Sequence, residues 1–322
     1  MFNSKNKTKQ NFTALIKFLL VSISCWYIFS KLKQDYAHFE VAFEQISTMN
    51  TWVLSSVFLL LILCSFFNWF FEILKWKILV SAISNISFKS AAIQSLTAHA
   101  VAIFTPNRVG DFGAKMLFFE TKYFKRIAGL NLLNNIAQMS ATIAFGILGL
   151  VFVNTAIFPL IETHQFYFWL AFSLSIAFFL LMFKMYNAKY FNQLKANLFL
   201  AKNKKKKLFI FAFVRYLFFS HQYFFIGWVL GWEVSYFTAM PFIFVLYFIA
   251  SILPSIFVLD SALKAGIGVY LFSTIGVSSF IIISIATLMW LLNFALPAMI
   301  GNILMYKTKF KLPDFRHQMR TD

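Results

Sequence analysis

Apolar positions are gathered into long, nearly unbroken runs, and polar residues fall in the short gaps between them. The runs cover residues 12–30, 52–74, 127–153, 166–183, 208–230 and 278–305. Each reaches the roughly 20 residues that a helix needs to cross a bilayer. Residues 1–11 are polar and carry Lys5, Lys7 and Lys9. No small-x-small cleavage site precedes Lys31, so the first run reads as a retained helix rather than a signal peptide.

Two regions break this pattern. Residues 90–121 read SAAIQSLTAHAVAIF, then TPNRVGDFGAK, then MLFFET. Residues 236–275 read YFTAMPFIFVLYFIASI, then LPSIFVLDSALK, then AGIGVYLFSTIG. Each is a pair of short apolar arms around a proline and an acidic residue. The arm Ala91–Phe104 is too short to span comfortably. Interrupted backbone at membrane depth is tolerated only where protein or a wet cavity surrounds it. Both regions therefore read as helical hairpins, re-entrant or made of two complete spans, with the same parity either way.

Composition narrows the class. Of 322 residues, 60% are apolar and 12% charged, with a mean hydropathy of +0.73. A soluble domain holds about 45–50% apolar and about 25% charged residues. A soluble enzyme, a disulfide scaffold and a disordered chain are excluded. The expected fold is an all-α polytopic integral membrane protein, with about six full spans plus two broken hairpins. Its parts are a segment 1–11, a single transmembrane domain 12–310 and a tail 311–322. The 45 phenylalanines fit lipid-facing packing. Cys25 and Cys64 lie in apolar runs, without the Cys/His spacing of a zinc site. No metal or cofactor is expected.

The formal charge of +18 changes the picture by where it lies. Basic residues sit between the apolar runs, which is membrane topology and not a nucleic-acid footprint. With the N-terminus in the cytoplasm, 23 of the 29 Lys and Arg fall inside, Lys75 and the 184–207 loop among them. Lys31 and Lys33 fall outside, with Asp35, Glu40, Glu44, Glu162 and Glu233. Both termini are thus expected in the cytoplasm, most naturally of a bacterial inner membrane. The KNKKKK run at 202–207 reads as a solvated inner loop or an anionic-lipid contact. Four basic residues stay at membrane depth: Arg108, Lys115, Arg215 and Lys264.

The two hairpins resemble each other. An offset of 148 residues aligns Ile86–Pro106 with Val234–Pro254 without a gap. One inserted residue then brings Asp111 onto Asp260 and Lys115 onto Lys264. The preceding spans run in opposite directions, so the hairpins open to opposite sides. Repeat one covers about 52–153 and repeat two about 208–305. Inverted repeats with interrupted helices are a recurring design of alternating-access transporters, with the substrate near the midplane.

Polar groups at that depth are the candidate chemistry. A charge in hydrocarbon costs about 2.5–3.5 kcal/mol on insertion scales. Asp111 and Lys115 are four apart, as are Asp260 and Lys264, so each pair shares a helix face. Each is either a buried ion pair that only holds its hairpin or part of a binding site. Pro106 ends one arm, and Gly110 permits a tight path. The next arm begins near Asp111 with free amides and a positive dipole end. Arg108 can grip a phosphate through two parallel hydrogen bonds. Asn135 and Gln138 are candidates for a polar path, in a series with Asn131 and Asn134 suited to interhelical hydrogen bonds. Glu72, Lys75 and Arg215 read as snorkelling residues near the inner ends of their spans, although Arg215 also suits the polar path. His99 and His221 read as hydrogen-bonding residues.

At T-P-N-R-V-G-D-F-G-A-K (105–115), with W-K-I-L-x-x-A at 76–82, the chain resembles the flippase-like membrane domain of lysylphosphatidylglycerol synthases and their stand-alone relatives. The resemblance covers roughly residues 12–310. It puts Thr105, Pro106, Arg108, Gly110 and Asp111 on the family's T-P-G-R-x-G-E positions. Asn107 replaces the usual Gly and Asp111 the usual Glu. Pro254-Ser-Ile-Phe-Val-Leu-Asp260 lacks the glycines of the family's second-half Pro-Gly-Gly motif. The resemblance implies translocation or recognition of a lipid or lipid-linked intermediate. About 17 residues follow the last run, so the soluble aminoacyl-transferase domain of the best-known members is not expected here.

The leading expectation is a non-enzymatic flippase-like transporter of an anionic phospholipid or polyprenyl-phosphate type lipid. Its headgroup site would draw on the motif residues with Lys115, Asp260 and Lys264. A proton- or cation-coupled solute transporter using Asp111 and Asp260 is an alternative. So is a non-transporting scaffold for lipid enzymes. HExxH and Asp-x-Asp are missing, as is paired His with Ser, which argues against a membrane enzyme. Membrane lipids are the expected partners, nucleic acid is not, and the oligomeric state is left open.

Overall fold

A computed structural model describes residues 47–102, 105, 109–161, 200–253 and 260–306. The expected spans at 12–30 and 166–183 lie outside the described residues, as do Pro106, Arg108 and Pro254. Every described element is helical. The long helices are α1 (Thr51–Val80), α4 (Phe124–Ile161) and α5 (Lys202–Val229). Between α1 and α4 lie the short helices α2 (Phe88–Ala102) and α3 (Val109–Met116). After α5 come α6 (Tyr236–Ile252) and α7 (Asp260–Ser273). The last stretch is α8 (Ser279–Trp290), a π turn (Leu291–Ala295) and α9 (Leu296–Tyr306).

Among the described residues, four stretches are long and apolar enough to cross a membrane: Thr51–Val80, Thr121–Val153, Lys202–Val229 and Ser279–Tyr306. The protein is thus a helical integral membrane protein. The four stretches coincide with four of the expected runs. Hairpin helices of 15, 8, 17 and 14 residues are all shorter. At 1.5 Å per residue, none alone covers a hydrocarbon core of about 30 Å. Local chemistry sets their starts. Ser235 caps α6 by accepting from the Thr238 N–H, and Ser278 caps α8 by accepting from Phe280.

The two halves clasp each other reciprocally. Helix α1 packs along α5, α6 of the second half packs on α4 of the first, and α2 of the first packs on α9 of the second. Glycines make the close approach possible. Gly146 faces Phe248, and Gly149 faces Phe244 and the Pro241 carbonyl. Gly301 faces Ala100 and the Leu96 carbonyl. Residues 96 and 100 are the partners of 244 and 248 under the 148-residue offset. Small residues that admit a neighbouring backbone are how helices associate where lipid removes the hydrophobic drive.

The π turn has an identifiable cause. Pro297 has no N–H, so the Asn293 carbonyl four residues earlier loses its helical donor. The Trp69 Nε1–H of α1 supplies one at 3.0 Å. His99 of α2 bonds the neighbouring Phe294 carbonyl through Nε2 at 3.1 Å, which fixes the protonated ring nitrogen.

Candidate functional site

A cavity of about 590 Å³ lies between the two hairpins and the helices α1, α4 and α5. That volume is within the range of about 300–1,000 Å³ usual for small-molecule sites. Both Asp–Lys pairs reach it. Asp111 and Lys115 come from α3, and Asp260 and Lys264 from α7. The wall also holds Glu72 and Lys75 from α1, Asn135 and Gln138 from α4, and Arg215 from α5. Among the described lining residues, Lys75, Lys115, Arg215 and Lys264 face three carboxylates, Glu72, Asp111 and Asp260.

The charges are held in three groups. In the first, Lys115 Nζ donates to Asp111 Oδ2 at 2.9 Å and to Asn131 Oδ1 at 2.8 Å. Asn131 Nδ2 returns to the same carboxylate oxygen at 2.7 Å. The ammonium also lies over the Trp76 ring, 4.5 Å from its centre, and Trp76 donates to Gln94 at 2.8 Å. Lys115 is therefore enclosed by partners. In the second group, Lys264 donates to Asp260 Oδ2 and lies over the Phe294 ring.

The third group corrects two expectations. Lys75 and Arg215 do not snorkel. Lys75 is wholly buried and pairs with Glu72 at 3.0 Å. Arg215 lies near the middle of α5, because that helix starts at Lys202 rather than at the first apolar residue, and it pairs with the same carboxylate oxygen at 3.1 Å. Gln138 Oε1 accepts from Lys75 at 3.1 Å and from Arg215 at 3.0 Å. Asn134 donates to the other Glu72 oxygen at 2.8 Å. Three helices thus meet on one carboxylate. The sequence signal for it was Glu72 and Lys75 at i,i+3 spacing inside a helix that runs on to Val80.

A chain of amides starts at Asn68, one turn before Glu72 on α1. Gln222 Nε2 donates to the Leu61 carbonyl at 2.9 Å, so its Oε1 must accept. It accepts from Asn293 Nδ2 at 2.8 Å, and Asn293 Oδ1 accepts from Asn68 at 2.9 Å. Sequence reasoning missed this chain, because its members are single polar residues on three separate helices.

The remaining motif residues have other places. Thr105 bridges the break in the first hairpin: its hydroxyl donates to the Ala102 carbonyl at 3.1 Å and accepts from the Gly110 N–H at 2.8 Å. A Cβ at Gly110 would strike Thr105 and the Val101 carbonyl, so glycine there allows the close approach. Neither residue lines the cavity. His221 bonds the Leu217 carbonyl and the Tyr236 hydroxyl, each at 2.8 Å. No cluster of metal-binding side chains occurs among the described residues.

No family model, curated protein or solved structure matches the chain.

Proposed function

We propose that the protein is a flippase-like transporter that translocates or recognises an anionic phospholipid or a lipid-linked intermediate. The observation that carries this reading is the convergence of Lys75, Lys115, Arg215 and Lys264 with three carboxylates on one cavity. A lipid headgroup needs such a polar chamber to pass a hydrocarbon barrier, and its phosphate needs the cations. The reciprocal packing of α6 on α4 and α2 on α9 supports an inverted repeat, whose two halves would rock about the cavity. Membership of the flippase-like domain family of lysylphosphatidylglycerol synthases is part of the proposal, supported by the 105–115 motif. So is a bacterial cytoplasmic membrane with both termini inside, supported by the charge asymmetry.

Reconstitution in liposomes tests this. With labelled phosphatidylglycerol or polyprenyl phosphate, folded protein accelerates exchange between leaflets. Unchanged exchange across a lipid panel overturns the reading.

One observation favours a second reading. Asp111 and Asp260 reach the same cavity, each tied to a lysine four residues on. A carboxylate that exchanges its lysine for a proton or cation would couple transport to a gradient. That reading requires solute uptake that follows pH or sodium and is lost in Asp111→Asn.

A further inference from the structure

The cavity holds more uncharged polar chemistry than a phosphate requires. Ser251 lines it, and its hydroxyl proton is committed to the Phe248 carbonyl at 2.7 Å. Thr142 likewise gives its proton to the Gln138 carbonyl at 3.3 Å. What these two hydroxyls still present is lone pairs, which need a donor. The exposed Asn135 amide lines the same space and makes no hydrogen bond among the described residues. Gln138 has its Oε1 fixed by two cations, which leaves its Nε2 as a donor.

A fully ionised phosphate accepts hydrogen bonds and donates none. It satisfies the cations and the Gln138 amide but not Ser251 or Thr142. Donors on the ligand are either ammonium or hydroxyl groups. Among the described lining residues, four cations against three carboxylates disfavour an ammonium. Among those cations, Lys75 and Lys115 are sealed, whereas the side chains of Arg215 and Lys264 keep about a fifth of their surface open (20% and 22%).

We infer that the cavity takes a hydroxyl-bearing phosphate, a polyol or glycosyl phosphate. The phosphate lies against Arg215 and Lys264, and the hydroxyls lie against Ser251, Thr142 and Asn135. This inference rests on the proposed headgroup site and deepens it. The chemistry is shared by a lipid headgroup and by a free polyol phosphate, and the experiment separates the two.

The full chain in detergent is titrated with phosphatidylglycerol and with phosphatidylmethanol, which has the same charge without headgroup hydroxyls. Binding is read by native mass spectrometry. Phosphatidylglycerol is expected to bind at least about fivefold more tightly, the equivalent of one or two hydrogen bonds. The double variant Asn135→Ala/Ser251→Ala brings that ratio toward one while phosphatidylmethanol binding persists, which also shows that the variant is folded. Equal binding of the two lipids by the unmodified protein overturns this inference and leaves the anionic-lipid reading standing. Preference for phosphatidylethanolamine overturns it too, since the donor is then an ammonium. Binding of none of these lipids, by protein with an intact thermal transition, overturns the proposed function and this inference together. Glycerol 1-phosphate displacing phosphatidylglycerol at comparable concentration supports the hydroxyl-phosphate chemistry and assigns it to a soluble ligand.

Discussion

Glu72 and Arg215 meet at 3.1 Å across the contact between α1 and α5, near the middle of α5. Lys75 grips the same carboxylate oxygen, and Gln138 of α4 accepts from both cations. Glu72 is the point on which three spans are tied together.

Removing that carboxylate strands a buried ammonium. Glu72→Leu is expected to destabilise by about 3–5 kcal/mol, the usual cost of breaking a buried pair from one side. Glu72→Leu/Lys75→Met, which removes both charges, is expected to recover part of the loss. Thermal midpoints in detergent check both, and a double variant no better than the single one would contradict the pairing.

The π turn predicts a thermodynamic coupling. Trp69→Phe leaves the Asn293 carbonyl without its donor and is expected to cost about 1–3 kcal/mol. Pro297→Ala returns a backbone N–H four residues on. In the Pro297→Ala background, the Trp69→Phe penalty is expected to shrink. An additive pair of penalties in a double-mutant cycle would contradict this account.

The amide chain is expected to be worth less than its length implies. Asn293→Leu breaks bonds to Asn68 and Gln222. Hydrogen bonds between membrane helices average about 0.6 kcal/mol, with a maximum near 1.7. The expected loss is about 1–2 kcal/mol, read as the detergent or denaturant midpoint.

Glycines at the clasp should be intolerant in both halves. Gly149→Val and Gly301→Val each force a side chain into the facing helix, and both are expected to abolish monodisperse, folded protein on size exclusion. Gly113→Ala is the control, because nothing lies within 4 Å of an added Cβ there. It is expected to be neutral or to stabilise α3 by up to about 1 kcal/mol.

The hairpins show what can be read from residues near one another in the chain. Asp111–Lys115 and Asp260–Lys264 are at i,i+4 spacing, and both pairs form as salt bridges. Proline and a polar cluster marked each break, and the described helices end at Ala102 and begin again at Val109 in one hairpin, and end at Ile252 and begin again at Asp260 in the other. These are local consequences of backbone geometry, so a single sequence carries them. The inner-end reading of Arg215 failed because the lysines before Leu208 belong to the same helix. A helix does not stop where its hydrophobicity stops.

The sequence by itself determined a helical membrane protein, the position of four spans, the two interrupted hairpins and their acidic–basic pairs. Only the tertiary structure decided that both pairs, Glu72, Gln138 and Arg215 share one cavity, and that Lys115 is sealed while the paired side chains of Arg215 and Lys264 keep about a fifth of their surface exposed. The physical reason is the solvent. In water, a buried helix face declares itself as an apolar stripe against a polar one. In a bilayer, the lipid-facing side is as apolar as the packed side, so the sequence does not mark which face meets which helix. Long-range convergence is then decided by close glycine contacts and scattered polar partners, and their meeting is visible only once the helices are packed.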